Sequence, residues 1–246
     1  MTEPYLSVIL PVYKCGKCIE PLYQRLVTAL EQEGVDFEII FVDDRGDDAE
    51  WRAIEAVAAP DHRVRAFRHR LNYGQPAAIA TGLARSKGRY ALVMDADLQD
   101  PPEIIGRFLA QAQEGSDIVL SVKTVRRDSL LRRLSDACIS RLFPIYTRFP
   151  NGLDYGCFVL LSRPVVERLL AEPDRNLQFT KLLDRLDGLV SFVYYEPARR
   201  FDGPSSYSFL KLVRHTCVLM GPEFWSSRLK ASTVAALVFL VIATCI

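Results

Sequence analysis

Two aspartates one residue apart follow an apolar run in the stretch "YALVMDADLQDPPE", residues 90–103. In an extended chain residues i and i+2 share a face, so the carboxylates of Asp95 and Asp97 can converge on one point. Two carboxylates that close repel each other, and they stay ionised only when positive charge lies between them. A hard divalent cation meets that need, and such ions commonly bind together with phosphates. The alternative is structural, because the acidic stretch precedes Pro101 and Pro102, where a helix can begin.

The segments that must position these aspartates alternate between apolar runs and amphipathic stretches. We predict strands over residues 6–13, 37–44, 64–69, 90–95 and 117–122. Helices are predicted over 19–33, 75–86 and 102–114, and another follows the second strand and ends at residue 58. This alternation predicts an α/β fold, with a parallel sheet and helices on both faces. In such sheets ligands bind beyond the carboxyl ends of the strands. Besides the two aspartates, the residues at those ends are Pro11, Tyr13, Asp43 and Asp44.

Beyond residue 122 the pattern is less regular. We predict a basic helix over 129–146, an apolar strand over 157–162, a helix over 179–186 and a last strand over 190–195. The sequence has no Gly-x-Gly-x-x-Gly or Walker-type glycine loop, which argues against a dinucleotide-dependent dehydrogenase and a P-loop nucleotidase.

The charges are balanced overall but unevenly placed. There are 31 lysines and arginines against 30 aspartates and glutamates, so the chain has no general signature of nucleic-acid binding. Residues 123–148 are nevertheless strongly basic. This run is either a solvated helix face or a surface that meets the phosphates of a substrate or of lipid headgroups.

Six cysteines raise the question of metal or redox chemistry. Only Cys15 and Cys18 have pair spacing, and no second pair or nearby histidine completes a tetrahedral zinc site. We therefore expect neither a zinc site nor a redox role. The other cysteines are expected to be small buried hydrophobes; they are Cys138, Cys157, Cys217 and Cys245. No signal peptide is apparent at the N-terminus, and a reducing, cytoplasmic location is the default expectation.

The C-terminal part differs from the rest. Residues 231–246 carry no charge but are fewer than the roughly 20 that span a bilayer. We predict a partial transmembrane segment there, with a buried core helix as the alternative. Arg228 and Lys230 place the preceding chain on the cytoplasmic side. The predicted organisation is a catalytic domain over 1–205, an amphipathic juxtamembrane region over 206–230 and the membrane segment over 231–246.

Four stretches taken together resemble a known family. "LSVILPVY", "FEIIFVDD", "RLNYGQPAAIATGLARSKGRYALVMDADLQDPPE" and "YGCFVLLSR" look like family 2 of the glycosyltransferases. The resemblance is greatest to bacterial polyprenyl-phosphate glycosyltransferases, alongside dolichol-phosphate mannose synthase. It covers residues 6 to about 228. It implies a GT-A type fold with a Rossmann-like nucleotide-sugar half and C-terminal transmembrane helices.

The resemblance also implies roles for particular residues. A nucleotide sugar would be held by Pro11, Tyr13, Asp43, Asp44, Asp95 and Lys123. Asp97 would bind Mg²⁺ or Mn²⁺ at the diphosphate, together with Asp95 and Gln99. Arg200 would approach the donor phosphates, and Arg133 the phosphate of a lipid acceptor. With Asp97, these two arginines form the implied catalytic set.

Several positions depart from the family pattern. Lys14 and Cys15 replace an Asn-Glu pair that helps to hold the nucleotide, and Ser206 replaces a lysine. Lys123 stands where an arginine is usual, which keeps the charge but loses the planar fork. Cys157 stands where glucosyl-transferring relatives commonly have an aspartate, whereas aminoarabinose-transferring relatives also read "YGC".

The resemblance thus implies inverting transfer of one sugar from a nucleotide sugar to undecaprenyl (polyprenyl) phosphate, at the cytoplasmic face of the bacterial inner membrane. A phosphate acceptor is already largely anionic at neutral pH, with a second pKa near 6. It therefore needs little help from a base, and the absence of an aspartate at the position of Cys157 need not abolish transfer. One alternative is transfer to a saccharide hydroxyl, which needs a base near Cys157, with Asp154 the only nearby candidate. The other is a catalytically silent nucleotide-sugar-binding membrane module. A homo-oligomer is compatible with the sequence.

Overall fold

The structure is a computed structural model that describes residues 3–124, 155–172 and 187–198. The chain divides into two units, and all of these residues belong to the unit formed by Met1–Val125 and Thr147–Asp202. The predicted helices over 129–146 and 179–186, and everything predicted beyond residue 198, lie outside the described residues. The three predicted domain boundaries stay predictions.

Seven strands form one sheet. They are β1 (Leu6–Val12), β2 (Phe37–Asp43), β3 (Val64–Arg68), β4 (Tyr90–Val93), β5 (Ile118–Lys123), β6 (Tyr155–Ser162) and β7 (Val190–Tyr195), in the order β3-β2-β1-β4-β6-β5-β7. The pairs β1–β2, β1–β4, β2–β3 and β5–β7 are parallel, whereas β6 runs antiparallel to β4 and β5. The prediction of a mostly parallel sheet is confirmed.

The inner strands are apolar because both of their faces are covered. Every residue of β2 is buried, as expected for a central parallel strand. Its partner β1 pairs from Leu6 opposite Phe37 to Val12 opposite Asp43. This register brings the carboxyl ends of the two strands to the same level at one edge of the sheet.

Within the described residues, five helices cover the two faces of the sheet. They are α1 (Ile19–Glu33), α2 (Asp48–Ala58), α3 (Gln75–Arg85), α4 (Ile105–Gln113) and α5 (Arg163–Ala171), with short 3-10 turns at Gly16–Cys18 and Pro102–Ile104. Leu22, Ile54 and Phe108, from α1, α2 and α4, pack in one core cluster. Ile79 and Val165, from α3 and α5, pack in another. Helices therefore lie on both faces, as predicted, although α5 had not been predicted.

A membrane span is not seen within the ranges that the structure describes, since none of their helices is long and apolar enough to cross a bilayer.

Candidate active site

The polar ends of the strands meet at one edge of the sheet. The parallel strands β1, β2 and β4 end there, and antiparallel β6 begins there, with Tyr155 opposite Val122. Pro11 marks an opening in this edge. Met94 donates its N–H to the Ile9 carbonyl, so Pro11, two residues further along, faces the same side, where β4 has already ended at Val93. A proline is tolerated there because no neighbouring strand requires its N–H.

Asp95 and Asp97 lie directly beyond β4, beside this opening. Gln75, at the start of α3, donates through Nε2 to Oδ1 of Asp95 at 2.6 Å. The backbone N–H of Gln99 donates to Oδ1 of Asp97 at 3.1 Å. Leu98, between Asp97 and Gln99 in the chain, has a φ of 63° and is 3% exposed. A buried leucine rarely adopts this left-handed conformation, and such strain is commonly found at functional sites.

A third carboxylate lies behind the pair. Asp100 is 1% exposed, and the Tyr195 hydroxyl, at the end of β7, donates to its Oδ1. Lys123 Nζ lies 3.7 Å from the same oxygen. Burial, followed by repulsion from Asp100 and Asp97, raises the pKa of Asp95 to about 7. Burial also raises the pKa of Asp100, although Lys123 and Tyr195 act in the opposite direction. Negative charge therefore exceeds positive charge in the cluster formed by the three aspartates and Lys123.

The donor atoms at this edge fit a hard divalent cation. Asp95 and Asp97 offer carboxylate oxygens and Gln99 an amide oxygen, which suit Mg²⁺ or Mn²⁺. Burial is the largest cause of the raised pKa of Asp95, and an ion there would balance the second cause, the repulsion from Asp100 and Asp97. Within the described ranges, no group of three or more His, Cys, Asp or Glu side chains could hold an ion by itself. The remaining ligands would therefore be water or phosphate, as is usual for Mg²⁺.

Asp43 and Asp44, predicted to bind the nucleotide sugar, both contact other groups of the protein. Asp43 is 0% exposed, accepts the Gly46 N–H at 2.6 Å and forms a 2.9 Å ion pair with Arg68 Nε. The Arg68 N–H does not point at the oxygen, so this contact lacks hydrogen-bond geometry. In the structure both aspartates therefore hold neighbouring loops in place. Their role in donor binding stays a prediction.

Asp44 fixes the loop that leads into α3. Its carboxylate accepts the backbone N–H groups of Tyr73 and Gly74 at 2.9 and 2.7 Å. Its Oδ1 also lies 2.8 Å from Nδ1 of His69, whose Nε2 contacts Thr81 at 2.9 Å. One carboxylate thus holds the chain segment that presents Gln75 to Asp95.

The loop after β1 carries the aromatic and basic residues expected to meet the donor. Tyr13 is 39% exposed, and the Lys14 ammonium lies 5.1 Å from the centre of its ring. Lys14 has φ of 59°. Cys15 and Cys18 form a disulfide, which the sequence analysis did not predict. Cys15 Sγ lies 3.6 Å from the carbonyl oxygen of Ala96, between the two aspartates.

Cys157 lies on β6 near the same carboxylates. It is half-buried and unpaired, rather than fully buried as predicted. Burial, followed by the charges of Asp95 and Asp100, raises its pKa well above the ordinary value for a thiol. The thiol is therefore protonated at neutral pH and cannot serve as a base.

Sequence reasoning missed Asp100, Glu50 and Gln75. Glu50 is 2% exposed, and its Oε2 accepts the Cys15 N–H. The only sequence signal for Asp100 is its place in "LQDPPE", directly before the two prolines where a helix can begin. Of the predicted site residues, the structure brings Pro11, Tyr13, Lys123, Asp95, Asp97 and Gln99 to one edge of the sheet. Arg133 and Arg200 lie outside the described residues.

A largely parallel α/β sheet with paired aspartates beyond a central strand is the architecture of a nucleotide-dependent transferase. Residues 7–170 match the family model described as "Glycosyl transferase family 2", and the chain belongs to this family. It is 35% identical over 211 residues to the undecaprenyl-phosphate 4-deoxy-4-formamido-L-arabinose transferases of Salmonella paratyphi B and Salmonella typhimurium. The aligned part is 85% of this chain and 64% of those proteins.

Solved structures share the fold. Mannosyl-3-phosphoglycerate synthase from Rubrobacter xylanophilus has a TM-score of 0.61 at 17% identity, over 92% of this chain and 77% of that one. Glucosyl-3-phosphoglycerate synthase from Mycobacterium tuberculosis, solved with Mn²⁺, uridine diphosphate and phosphoglyceric acid, has a TM-score of 0.54 at 20% identity. That match covers 82% of this chain and 72% of that one. The fold is therefore of the GT-A type, as predicted.

Proposed function

We propose that this protein transfers one sugar from a nucleotide-sugar donor to a polyprenyl phosphate, with inversion at the anomeric carbon. The carrying observation is the Asp95–Asp97 pair, with its excess negative charge, beyond β4. Family membership and the 35% identity to undecaprenyl-phosphate sugar transferases support the reaction and the acceptor. Because the chain spans 64% of the length of those relatives, activity and substrates are proposed for it rather than transferred to it.

Different residues at the sheet edge would bind different parts of the donor. Asp97 and Asp95, with Gln99, would hold Mg²⁺ or Mn²⁺. When bound, such an ion would neutralise the departing diphosphate. Tyr13, which is well exposed, offers a ring face to the base, and Lys14 offers a positive charge close by. In this proposal Arg200 meets the donor phosphates and Arg133 the acceptor phosphate.

The acceptor needs no protein base. An anionic oxygen of the lipid phosphate forms the new bond to the anomeric carbon. The bond from that carbon to the donor phosphate oxygen breaks, and the nucleoside diphosphate leaves with the electron pair. No proton has to move at the nucleophile, since its oxygen is already ionised at neutral pH. This agrees with a protonated thiol at Cys157, where a base would otherwise be expected.

The assay below separates this function from two alternatives. A saccharide hydroxyl as acceptor would need a general base; the thiol of Cys157 cannot supply one, and the candidate near it, Asp154, lies outside the described residues. A catalytically silent nucleotide-sugar-binding module would share the paired aspartates, and metal-dependent transfer would exclude it. Association with the cytoplasmic face of the bacterial inner membrane belongs to the proposal, because a polyprenyl acceptor resides in a bilayer.

A transfer assay tests the proposal. The full chain in detergent is incubated with undecaprenyl phosphate and a panel of nucleotide sugars, which includes a 4-deoxy-4-formamido-L-arabinose donor, in Mg²⁺, Mn²⁺ or EDTA. We expect a glycolipid product that EDTA suppresses. Asp97→Asn should reduce transfer by roughly 10³-fold. The control Asp36→Asn changes an exposed aspartate at the opposite edge of the sheet and should leave transfer unchanged. Metal-dependent donor hydrolysis without lipid product would point to another acceptor.

A further inference from the structure

A buried carboxylate on α2 lies between the loops that follow β1 and β2. Glu50 belongs to the first turn of α2 and is 2% exposed. Its Oε2 accepts the backbone N–H of Cys15. Hydrogen bonds from backbone amides to a carboxylate are among the strong ones. Glu50 therefore fixes the 14–18 loop relative to α2.

Two glycines allow close packing around Glu50. A Cβ at Gly46, in the loop after β2, would collide with Oε1 of Glu50. A Cβ at Gly16, in the loop after β1, would lie 3.1 Å from Cα of Glu50. Gly46 therefore leaves space for the carboxylate, and Gly16 lets the loop after β1 approach the backbone of α2.

Stability alone does not explain the arrangement. Oε1 of Glu50 has no hydrogen-bond partner among the residues that the structure describes. Burial raises the pKa of this carboxyl. A buried acceptor without a donor costs stability. Proteins most often retain such destabilising groups at functional sites.

The loop held by Glu50 reaches the paired aspartates. Cys15, whose N–H Glu50 accepts, places its Sγ 3.6 Å from the Ala96 carbonyl oxygen. A disulfide sulfur carries no proton, so this is a packing contact and not a hydrogen bond. The disulfide to Cys18 closes the loop at the start of α1. On its solvent side the loop presents Tyr13 and Lys14.

We propose that Glu50 is a positioning residue for the nucleoside diphosphate part of the donor. It holds the 14–18 loop so that Tyr13 and Lys14 lie beside the Asp95–Asp97 edge before the donor arrives. Affinity gains when a loop is already ordered in its bound conformation. The inference rests on the proposed function, because it needs a nucleotide at this edge.

Glu50→Gln tests the inference, with Glu38→Gln as the matched control. The glutamine keeps the size of the side chain but replaces one acceptor oxygen by an NH₂ group that would face a backbone N–H. Glu38 is also a buried carboxylate, 6% exposed, and it accepts the Lys87 N–H at 2.7 Å. It lies at the amino end of β2, at the opposite edge of the sheet. Glu38 also accepts the Ser7 hydroxyl and pairs with Arg65 at 2.9 Å, so the control perturbs a more extensively paired buried carboxylate far from the proposed donor site.

Two measurements are made on each variant of the chain. One is hydrogen exchange of the peptide that covers residues 13–18, and the other is titration calorimetry with UDP, GDP and dTDP in Mn²⁺. For Glu50→Gln we expect about tenfold faster exchange in that peptide and about tenfold weaker binding of whichever nucleotide the unmodified protein binds. Glu38→Gln should change neither by more than about twofold.

Unchanged nucleotide affinity in folded Glu50→Gln would overturn the inference, as would an equal loss in Glu38→Gln. If the unmodified protein bound none of the three nucleotides, the proposed function would fail instead. The exchange rates would then decide separately whether Glu50 holds the loop.

Discussion

The Lys123 ammonium lies 3.7 Å from Oδ1 of Asp100, a carboxylate that is 1% exposed behind the paired aspartates. The lysine was predicted to bind the nucleotide sugar. In the structure it neutralises part of a buried acidic cluster, and any role toward the donor phosphates stays a prediction. Its side chain is 22% exposed, so this pairing is shielded from solvent far better than a surface ion pair.

Lys123→Met should lower the free energy of unfolding by about 2 kcal/mol, because it leaves Asp100 buried without its nearest positive charge. Chemical denaturation of the variant and the unmodified protein measures this. The double variant Lys123→Met/Asp100→Asn should lose less than the two single losses combined, since the pair is coupled. Lys87→Met changes an exposed lysine and serves as the control. Equal stability of Lys123→Met and Lys87→Met would contradict the pairing.

The stability of the metal-free protein should fall as the pH rises from about 4 to about 7. The pKa of Asp95 is raised from its ordinary value of 3.8 to about 7, so the folded state binds more protons than the unfolded state in this window. The contribution is complete below the unfolded pKa and lost as the pH passes the folded pKa. Because Asp95 is partly exposed, which weakens the effect, we expect the free energy of unfolding to fall by about 2 kcal/mol.

Urea unfolding in EDTA at several pH values measures this slope, and Asp95→Asn isolates the contribution of one carboxyl. The variant should show a flatter dependence than the unmodified protein. Added Mn²⁺ should flatten the slope of the unmodified protein as well, because an ion favours the ionised carboxylate. Identical slopes for the variant and the unmodified protein would mean that Asp95 does not titrate in this range.

Reduction of the Cys15–Cys18 disulfide should weaken donor binding. The bond closes the loop that Glu50 also holds, and opening it increases the conformational freedom that binding must remove. We expect KM for the donor to rise about three- to tenfold with dithiothreitol, while kcat changes by less than about twofold. In Cys15→Ser/Cys18→Ser the reductant should have no effect. A reductant effect of equal size in that variant would show that it acts elsewhere.

Cys157→Ala should retain transfer to a lipid phosphate within about threefold of the unmodified rate, because its protonated thiol gives no base catalysis. Initial rates with undecaprenyl phosphate measure this. A loss of about 10² or more would indicate that the thiol takes part in the reaction or that the acceptor needs a base. Circular dichroism of the variant distinguishes such a loss from misfolding.

Local patterns predicted the strands and the edge of the sheet at which the site lies. Apolar runs ended by Pro11, Asp43 and Asp95 identify strand ends, because strands buried on both faces are apolar throughout. The position of β6 between β4 and β5 was not predictable in this way, since strand order depends on pairings between distant segments. Nothing in the local sequence indicates which neighbour a strand will choose.

The contacts of single side chains were less predictable than the elements. Asp43 and Asp44 have the sequence position of ligands, yet in the structure Asp43 pairs with Arg68 and accepts the Gly46 N–H, and Asp44 accepts N–H groups of the 72–74 loop. Glu50 stands 35 residues from Cys15, and only the packing of α2 beside the loop after β1 brings them together. The Cys15–Cys18 disulfide was not expected, because the default expectation of a reducing location argued against one.

The reversed direction of β6 also bears on how such proteins diversify. A parallel strand delivers its last residues to this edge, whereas β6 delivers its first, while its far end is secured by pairing with β4 and β5. Mutation or insertion just before Tyr155 would therefore change the residues that enter this edge without shifting the register of the sheet. The ends of β1, β2 and β4 are encoded separately, in the first hundred residues. The two groups of residues at this edge can then vary independently of each other.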